Sequence, residues 1–244
     1  MKNLKLYAIL FISLVSLNSC KDEVEAPGTA YASFESYLGD ITVSPGQDLA
    51  KSISVFTANV TGADRTIELT ISGTLDASSY TAPTSVTIPA NTNEGKIDVV
   101  FKDVNLSIIE DKTLSIAMTQ TADLIVGASI TLKVAKGCPS GDGKVKTVVA
   151  LDSYPEEVYW RIRNATTGVI LMSNSATPGY GGYPAGTTGT QRDAACLPAG
   201  NYLIQVYDQY GDGAGAMTVS VNGLQVFSTN GKYGAGVQGT FTIN

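Results

Sequence analysis

The chain contains no histidine. That removes the commonest general base and the commonest zinc ligand. Neither a Ser-His-Asp nor a Cys-His catalyst can be assembled without it, which leaves carboxylate-pair hydrolysis as the formal catalytic option. Basic residues are also few, 16 against 22 acidic, a net charge of −6. Phosphate backbones are held by Lys and Arg, so nucleic acid is not an expected partner. Only one tryptophan and three cysteines occur in 244 residues. After the first twenty residues no convincing amphipathic helix of ten residues appears.

The chain begins with a short basic head, Met1 to Lys5, followed by an apolar run from Leu6 to Leu17. That run fits the core of a secretory leader and is too short to span a bilayer as a helix. It ends in Leu17-Asn18-Ser19-Cys20, which resembles a bacterial lipobox. The resemblance implies cleavage after residue 19 and lipid attachment at Cys20, which would anchor the protein to the membrane. Lys21-Asp22-Glu23 resembles the acidic export signal of Bacteroidetes surface lipoproteins. It implies an outer-membrane protein facing the cell exterior, with residues 20–27 as a linker. Loss of Lys2 and Lys5 with the leader takes the 16 basic residues to 14 against 22 acidic, a net charge of −8. Such a surface collects cations. The two remaining cysteines, Cys138 and Cys196, form an expected disulfide in an exported chain, with two free buried thiols as the rival reading.

Residues 28–135 alternate apolar and polar residues in short runs, as in Thr66-Ile67-Glu68-Leu69-Thr70-Ile71 and Lys96-Ile97-Asp98-Val99-Val100-Phe101. Period-two burial means strands. Pro45-Gly46, Thr61-Gly62, Ser72-Gly73 and Asn93-Glu94-Gly95 supply turn signals between runs. About seven strands argue a β-sandwich of immunoglobulin type. The segments Ser44-Pro45-Gly46, Ser78-Ser79-Tyr80-Thr81, Ile88 to Val99, Asp103-Val104-Asn105 and Glu110-Asp111-Lys112-Thr113 together resemble a Calx-β domain. Pro45 and Ser79 stand where that family carries calcium-binding acids. Asp103, Glu110 and Asp111 therefore read as a solvated loop, and the module as a stalk.

Residues 136–244 begin with a strand at Lys144 to Leu151 and continue with Asp152-Ser153-Tyr154-Pro155-Glu156-Glu157-Val158-Tyr159-Trp160. Asn164 to Gly168 and Asn222-Gly223 are hairpin signals, the second of type I′. The stretch that organises the module is Tyr207-Asp208-Gln209-Tyr210-Gly211-Asp212-Gly213, two carboxylates four residues apart between two strand-like runs. With Asp208 as position 1, an EF-hand would need an acid at position 12, where Val219 stands. Asp152, Glu157, Asp208 and Asp212 all fall at strand ends, and hairpin corners could gather them. Carboxylates gathered so closely repel unless a cation neutralises them. The expected cofactor is Ca2+, held by these four residues; the plainer alternative is that the aspartates only cap a tight turn.

Leu151 to Trp160, Cys196-Leu197-Pro198-Ala199-Gly200-Asn201-Tyr202 and Asp208 to Gly213 resemble a domain recurrent in exported, multi-modular bacterial proteins. The resemblance implies a jelly-roll or CUB-like β-sandwich, and that domain carries no assigned enzymatic chemistry. A loop from 177 to 193 holds five glycines with Tyr180 and Tyr183, which could meet a sugar face. Trp160 reads as core. The expected protein is all-β: two sandwiches behind a lipoprotein leader. Its expected role is non-catalytic binding of glycan or protein at the cell surface. An envelope spacer is the alternative, and a carboxylate-based glycan hydrolase stands third.

Overall fold

The computed structural model describes residues 30–36 and 39–244. The expected leader, Cys20 and the linker lie outside the described residues. Among the described residues every long element is a strand, and the helical pieces are two single 3₁₀ turns.

The first half forms two five-stranded sheets. One runs in the order β5 (Tyr80–Thr81), β7 (Glu94–Phe101), β3 (Leu49–Thr57), β1 (Tyr31–Phe34) and β9 (Ile125–Val126). The other runs β2 (Ile41–Val43), β10 (Ile130–Lys136), β8 (Lys112–Met118), β4 (Arg65–Gly73) and β6 (Ser85–Ile88). Letters assigned in chain order give A-B-E-D facing A′-G-F-C, the immunoglobulin arrangement, with β2 parallel to β10. Alternation sets the core: in β7, Gly95, Ile97, Val99 and Phe101 face inward and Glu94, Lys96 and Asp98 outward. Ile53, Ile97, Val99 and Phe101 are fully buried between the sheets.

The second half has eight antiparallel strands in two four-stranded layers. One layer is β14 (Thr190–Leu197), β11 (Gly143–Ala150), β16 (Ala216–Val221) and β17 (Leu224–Thr229). Its partner is β13 (Ile170–Ser173), β12 (Val158–Asn164), β15 (Gly200–Asp208) and β18 (Gly236–Ile243). The layers make a β-sandwich with a jelly roll's strand number but not its strand order: the hairpins β12–β13 and β16–β17 each stay within one layer, and the chain crosses between layers five times. Trp160, Ile162, Tyr202, Ile204 and Met217 fill the core. Tyr202 stacks on Phe241 at 5.4 Å, and its hydroxyl donates to the Pro198 carbonyl at 2.6 Å. Asn222 and Gly223 have φ of 49° and 85°, the type I′ turn that joins β16 to β17. Cys138 and Cys196 are bonded, with a Cα separation of 5.5 Å. In the chain-entropy view, closing a loop of this length is worth about 4 kcal/mol.

Two of the three acids read as a solvated loop are not solvated. Asp103 pairs with Lys136 at 2.8 Å and accepts the Gly46 amide at 2.8 Å. Asp111 pairs with Lys133 at 3.0 Å and reaches into the second sandwich to Lys146 at 2.9 Å. Lysine ammonium groups, not solvent, balance these carboxylates. Only Glu110 behaves as expected, paired to Lys112 with 62% of its side chain exposed.

Candidate metal centre

The organising stretch sits where β15 ends. The alternation that buries Tyr202, Ile204 and Val206 also turns Asp208 inward, leaving it 2% exposed. A carboxylate taken out of water needs partners. Asp208 Oδ2 accepts the Gly213 amide at 2.9 Å across the turn it opens. Burial pushes the Asp208 carboxyl up, but the backbone N–H groups of Gly213, Gly211, Asp212 and Tyr210 outweigh it and hold the pKa below the usual range. Gly213 is required here: its φ is +96°, and a Cβ would strike the Gly231 carbonyl.

Glu157 comes from the 3₁₀ turn Pro155–Glu157 that leads into β12. The Gln209 amide donates to the Glu157 carbonyl at 3.0 Å, so the two corners are tied through their backbones. Carboxylate oxygens of Glu157, Asp208 and Asp212 lie within 4.8 Å of one another. Burial first, and then the charges of Asp208, Asp212, Glu156 and Asp152, push the Glu157 carboxyl up. Asp152 stands apart from the expected set of four. Its Oδ1 accepts the Tyr154 amide at 2.9 Å, and it acts on the cluster through its charge.

The geometry suits a hard cation. Two oxygens bound to one calcium at roughly 2.3 to 2.6 Å lie no more than about 5 Å apart, and the 4.8 Å grouping satisfies that. Asp208 Oδ1 is buried with no hydrogen-bond partner. An orphaned carboxylate oxygen in a group of three acids is what a missing positive charge would leave. The chemistry of hydrolysis is less well served. A glycosidase needs both carboxylates open to the sugar, whereas Asp208 is enclosed by its own turn.

Tyr233, for which the sequence carries no signal, and Tyr180, which the sequence does single out, complete the corner. The Tyr233 hydroxyl donates to the Ala214 carbonyl at 2.6 Å. Burial, then the charges of Asp208 and Asp152, push its pKa up to about 12, so it stays neutral. Tyr180, 44% exposed, donates from its hydroxyl to the Asp208 carbonyl at 3.4 Å, and the Gly181 amide donates to the Glu156 carbonyl at 2.7 Å. The glycine-rich loop is therefore docked on the acidic corner. Tyr183 packs against the core, and its hydroxyl accepts the Trp160 indole N–H at 2.9 Å. It is a half-buried partner of the core and not an open aromatic platform. Trp160 itself is 1% exposed, in the core as expected.

No family model matches the chain, and no curated protein matches it. Solved structures that the chain matches at a distance include a proposed carbohydrate binding protein from Bacteroides ovatus ATCC 8483. It has 11% identity and a TM-score of 0.34, with 82% of this chain and 70% of that chain covered. A protein of unknown function from Bacteroides ovatus has 11% identity and a TM-score of 0.38, over 87% of this chain and 93% of that chain. CBD12 from CALX1.2 has 11% identity and a TM-score of 0.36, over 80% of this chain and 83% of that chain. These likenesses are too distant to bear on function. Among the described residues, no helix is long and apolar enough to cross a membrane.

Proposed function

We propose that this chain is a non-catalytic, lipid-anchored protein of the cell surface whose second sandwich is stabilised by calcium and binds a glycan or protein ligand. The supporting observation is the buried, unpartnered Asp208 Oδ1 within a cluster of three carboxylates. In this reading Glu157, Asp208 and Asp212 supply side-chain ligands and Asp152 adds long-range charge. The bound ion neutralises the corner and pins the ends of β12 and β15. The first sandwich carries the second away from the membrane, to which Cys20 would be attached. The enclosure of Asp208 is the reason for assigning no hydrolytic role.

A second reading, a structural spacer in an envelope complex, draws support from the joint between the sandwiches. Asp111 of the first accepts from Lys146 of the second, and Lys144 Nζ donates to the Lys136 carbonyl at 2.7 Å. Such ties suit a stiff arm.

The test is a thermal melt of the full chain in calcium and in EDTA, beside an Asp208→Asn/Asp212→Asn variant. A ligand that binds only the folded state must stabilise it. The expected result is a melting temperature that rises with calcium in the parent and not in the variant. No calcium effect would make the acidic turn simple architecture and leave the spacer as the better account.

A further inference from the structure

The outer face of the β12-β15-β18 sheet carries a side-chain constellation separate from the acidic corner. Outward positions alternate along β12 and β15, which places Tyr159 across from Tyr207 and Arg161 across from Gln205. The two tyrosine rings stack at 5.9 Å with 13° between planes. On the other side of β15, Tyr207 faces Gly236 of β18, which has no side chain to cover the ring. A Cβ there would fall 3.2 Å from Tyr207 Cδ1. The gap is a shallow groove of about 360 Å³ between Tyr207 and the amides of Gln205 and Gln238, floored by Gly236.

Its polar groups are linked through Gln205 to Arg161 of β12, on the far side of Gln205 from the groove. Arg161 Nε donates to Gln205 Oε1 at 2.9 Å, and Gln205 Nε2 donates to Gln238 Oε1 at 3.3 Å. Arg161 Nη2 donates to the Tyr207 hydroxyl at 3.3 Å, and its guanidinium carbon lies 5.7 Å from the ring centroid. A guanidinium has five N–H donors, and these bonds use two. Every ion pair among the described residues is made by lysine, so Arg161 has no carboxylate partner in a chain of net charge −6. Arg163, two residues on and facing the same way, has none either, and its Nε is buried without a partner.

We propose that this groove is an anionic-saccharide site, an inference that rests on the reading of the second sandwich as a glycan-binding module. The apolar face of a pyranose ring lies against Tyr207, which Tyr159 supports from behind. Ring hydroxyls meet the exposed Gln238 amide, and a carboxylate or sulfate on the sugar reaches past Gln205 to Arg161. Aromatic rings with a few placed polar groups are the ordinary makings of a ligand site, and a guanidinium with spare donors and no carboxylate partner selects an oxyanion. The acidic corner adjoins the groove, because Ala235 lines it and accepts the Asp208 amide at 3.2 Å. Calcium would thus hold one end of the groove in place.

The experiment is affinity electrophoresis of the full chain, in calcium, through gels containing hyaluronan, chondroitin sulfate or dextran. Retardation by hyaluronan assigns a carboxylate, retardation by chondroitin sulfate alone assigns a sulfate, and dextran should have no effect. Tyr207→Ala should weaken retardation about tenfold, and Gly236→Val should do the same by filling the groove. Gln238→Ala, on an exposed position, tests the site where folding is not at issue. Arg161→Gln should remove the preference for charged polymers over dextran. No retardation by either anionic polymer overturns the proposal, while the calcium melt still reports separately on the metal centre. Retardation unchanged in Tyr207→Ala and Gln238→Ala overturns the groove while leaving a glycan-binding module intact.

Discussion

Asp208 gives one carboxylate oxygen to the Gly213 amide, at 2.9 Å, and leaves the other buried with no partner. The two residues close the turn that carries Asp208 and Asp212, two of the three acids of the candidate centre. Asp208 is fixed by the strand behind it, Gly213 by the backbone in front of it.

Gly213→Ala therefore tests the turn. The φ of +96° and the collision of a Cβ with the Gly231 carbonyl act together. The substitution should cost about 2 kcal/mol or more, measured by urea unfolding at fixed calcium. A variant as stable as the parent would mean that the turn relaxes freely and does not fix Asp208.

Tyr183→Phe tests the assignment of that tyrosine to the core. It removes the acceptor for Trp160 Nε1, 2.9 Å away, and leaves a buried donor unpaired. The expected loss is about 1 to 2 kcal/mol, with a shift in the emission of the sole tryptophan. An unchanged emission spectrum and unchanged stability would return Tyr183 to the surface.

Asp111 makes the joint between the sandwiches depend on pH. Burial raises its pKa, but hydrogen bonds and charge from Lys146 and Lys133 outweigh that and lower it from the ordinary 3.8. A depressed folded-state pKa contributes stability above the unfolded value that is lost as pH falls through the folded one. The stability gap between the parent and Asp111→Asn should thus hold steady from neutral pH to about 4 and shrink below it. High salt should narrow the gap as well. A gap that stays constant into strong acid would show that the Lys146 and Lys133 contacts do not set the charge state of Asp111.

Much of this was legible in the sequence, because period-two burial is a local signal. The runs containing Ile67-Leu69-Ile71 and Ile97-Val99-Phe101 became strands with those residues inward. Asn222-Gly223 specified its own turn type. Glycine was the less reliable mark. Gly95 reads as a turn residue, yet it lies inside β7, where a Cβ would fall 2.5 Å from the Thr87 carbonyl. The residues Thr190 to Asp193, read as loop, form the start of β14, since pairing with β11 decides the matter and the local composition does not. The short strands β2, β5 and β9 carry too few residues to show a period. The Asp111–Lys146 contact and the outer-face groove depend on pairings across dozens of residues, which no spacing along the chain announces. The acidic corner stood between these cases. Asp208 and Asp212 drew notice by their spacing and Glu157 by its strand-end position, but only the fold separates Asp152 from them.

The central claim is that a cation belongs at Asp208. Isothermal titration of calcium into the metal-stripped full chain tests it most directly, with Asp208→Asn in parallel. One calcium per chain with saturable heat in the parent, and none of that heat in the variant, is the predicted result. No saturable heat in the parent, or a titration that Asp208→Asn leaves unchanged, would contradict it.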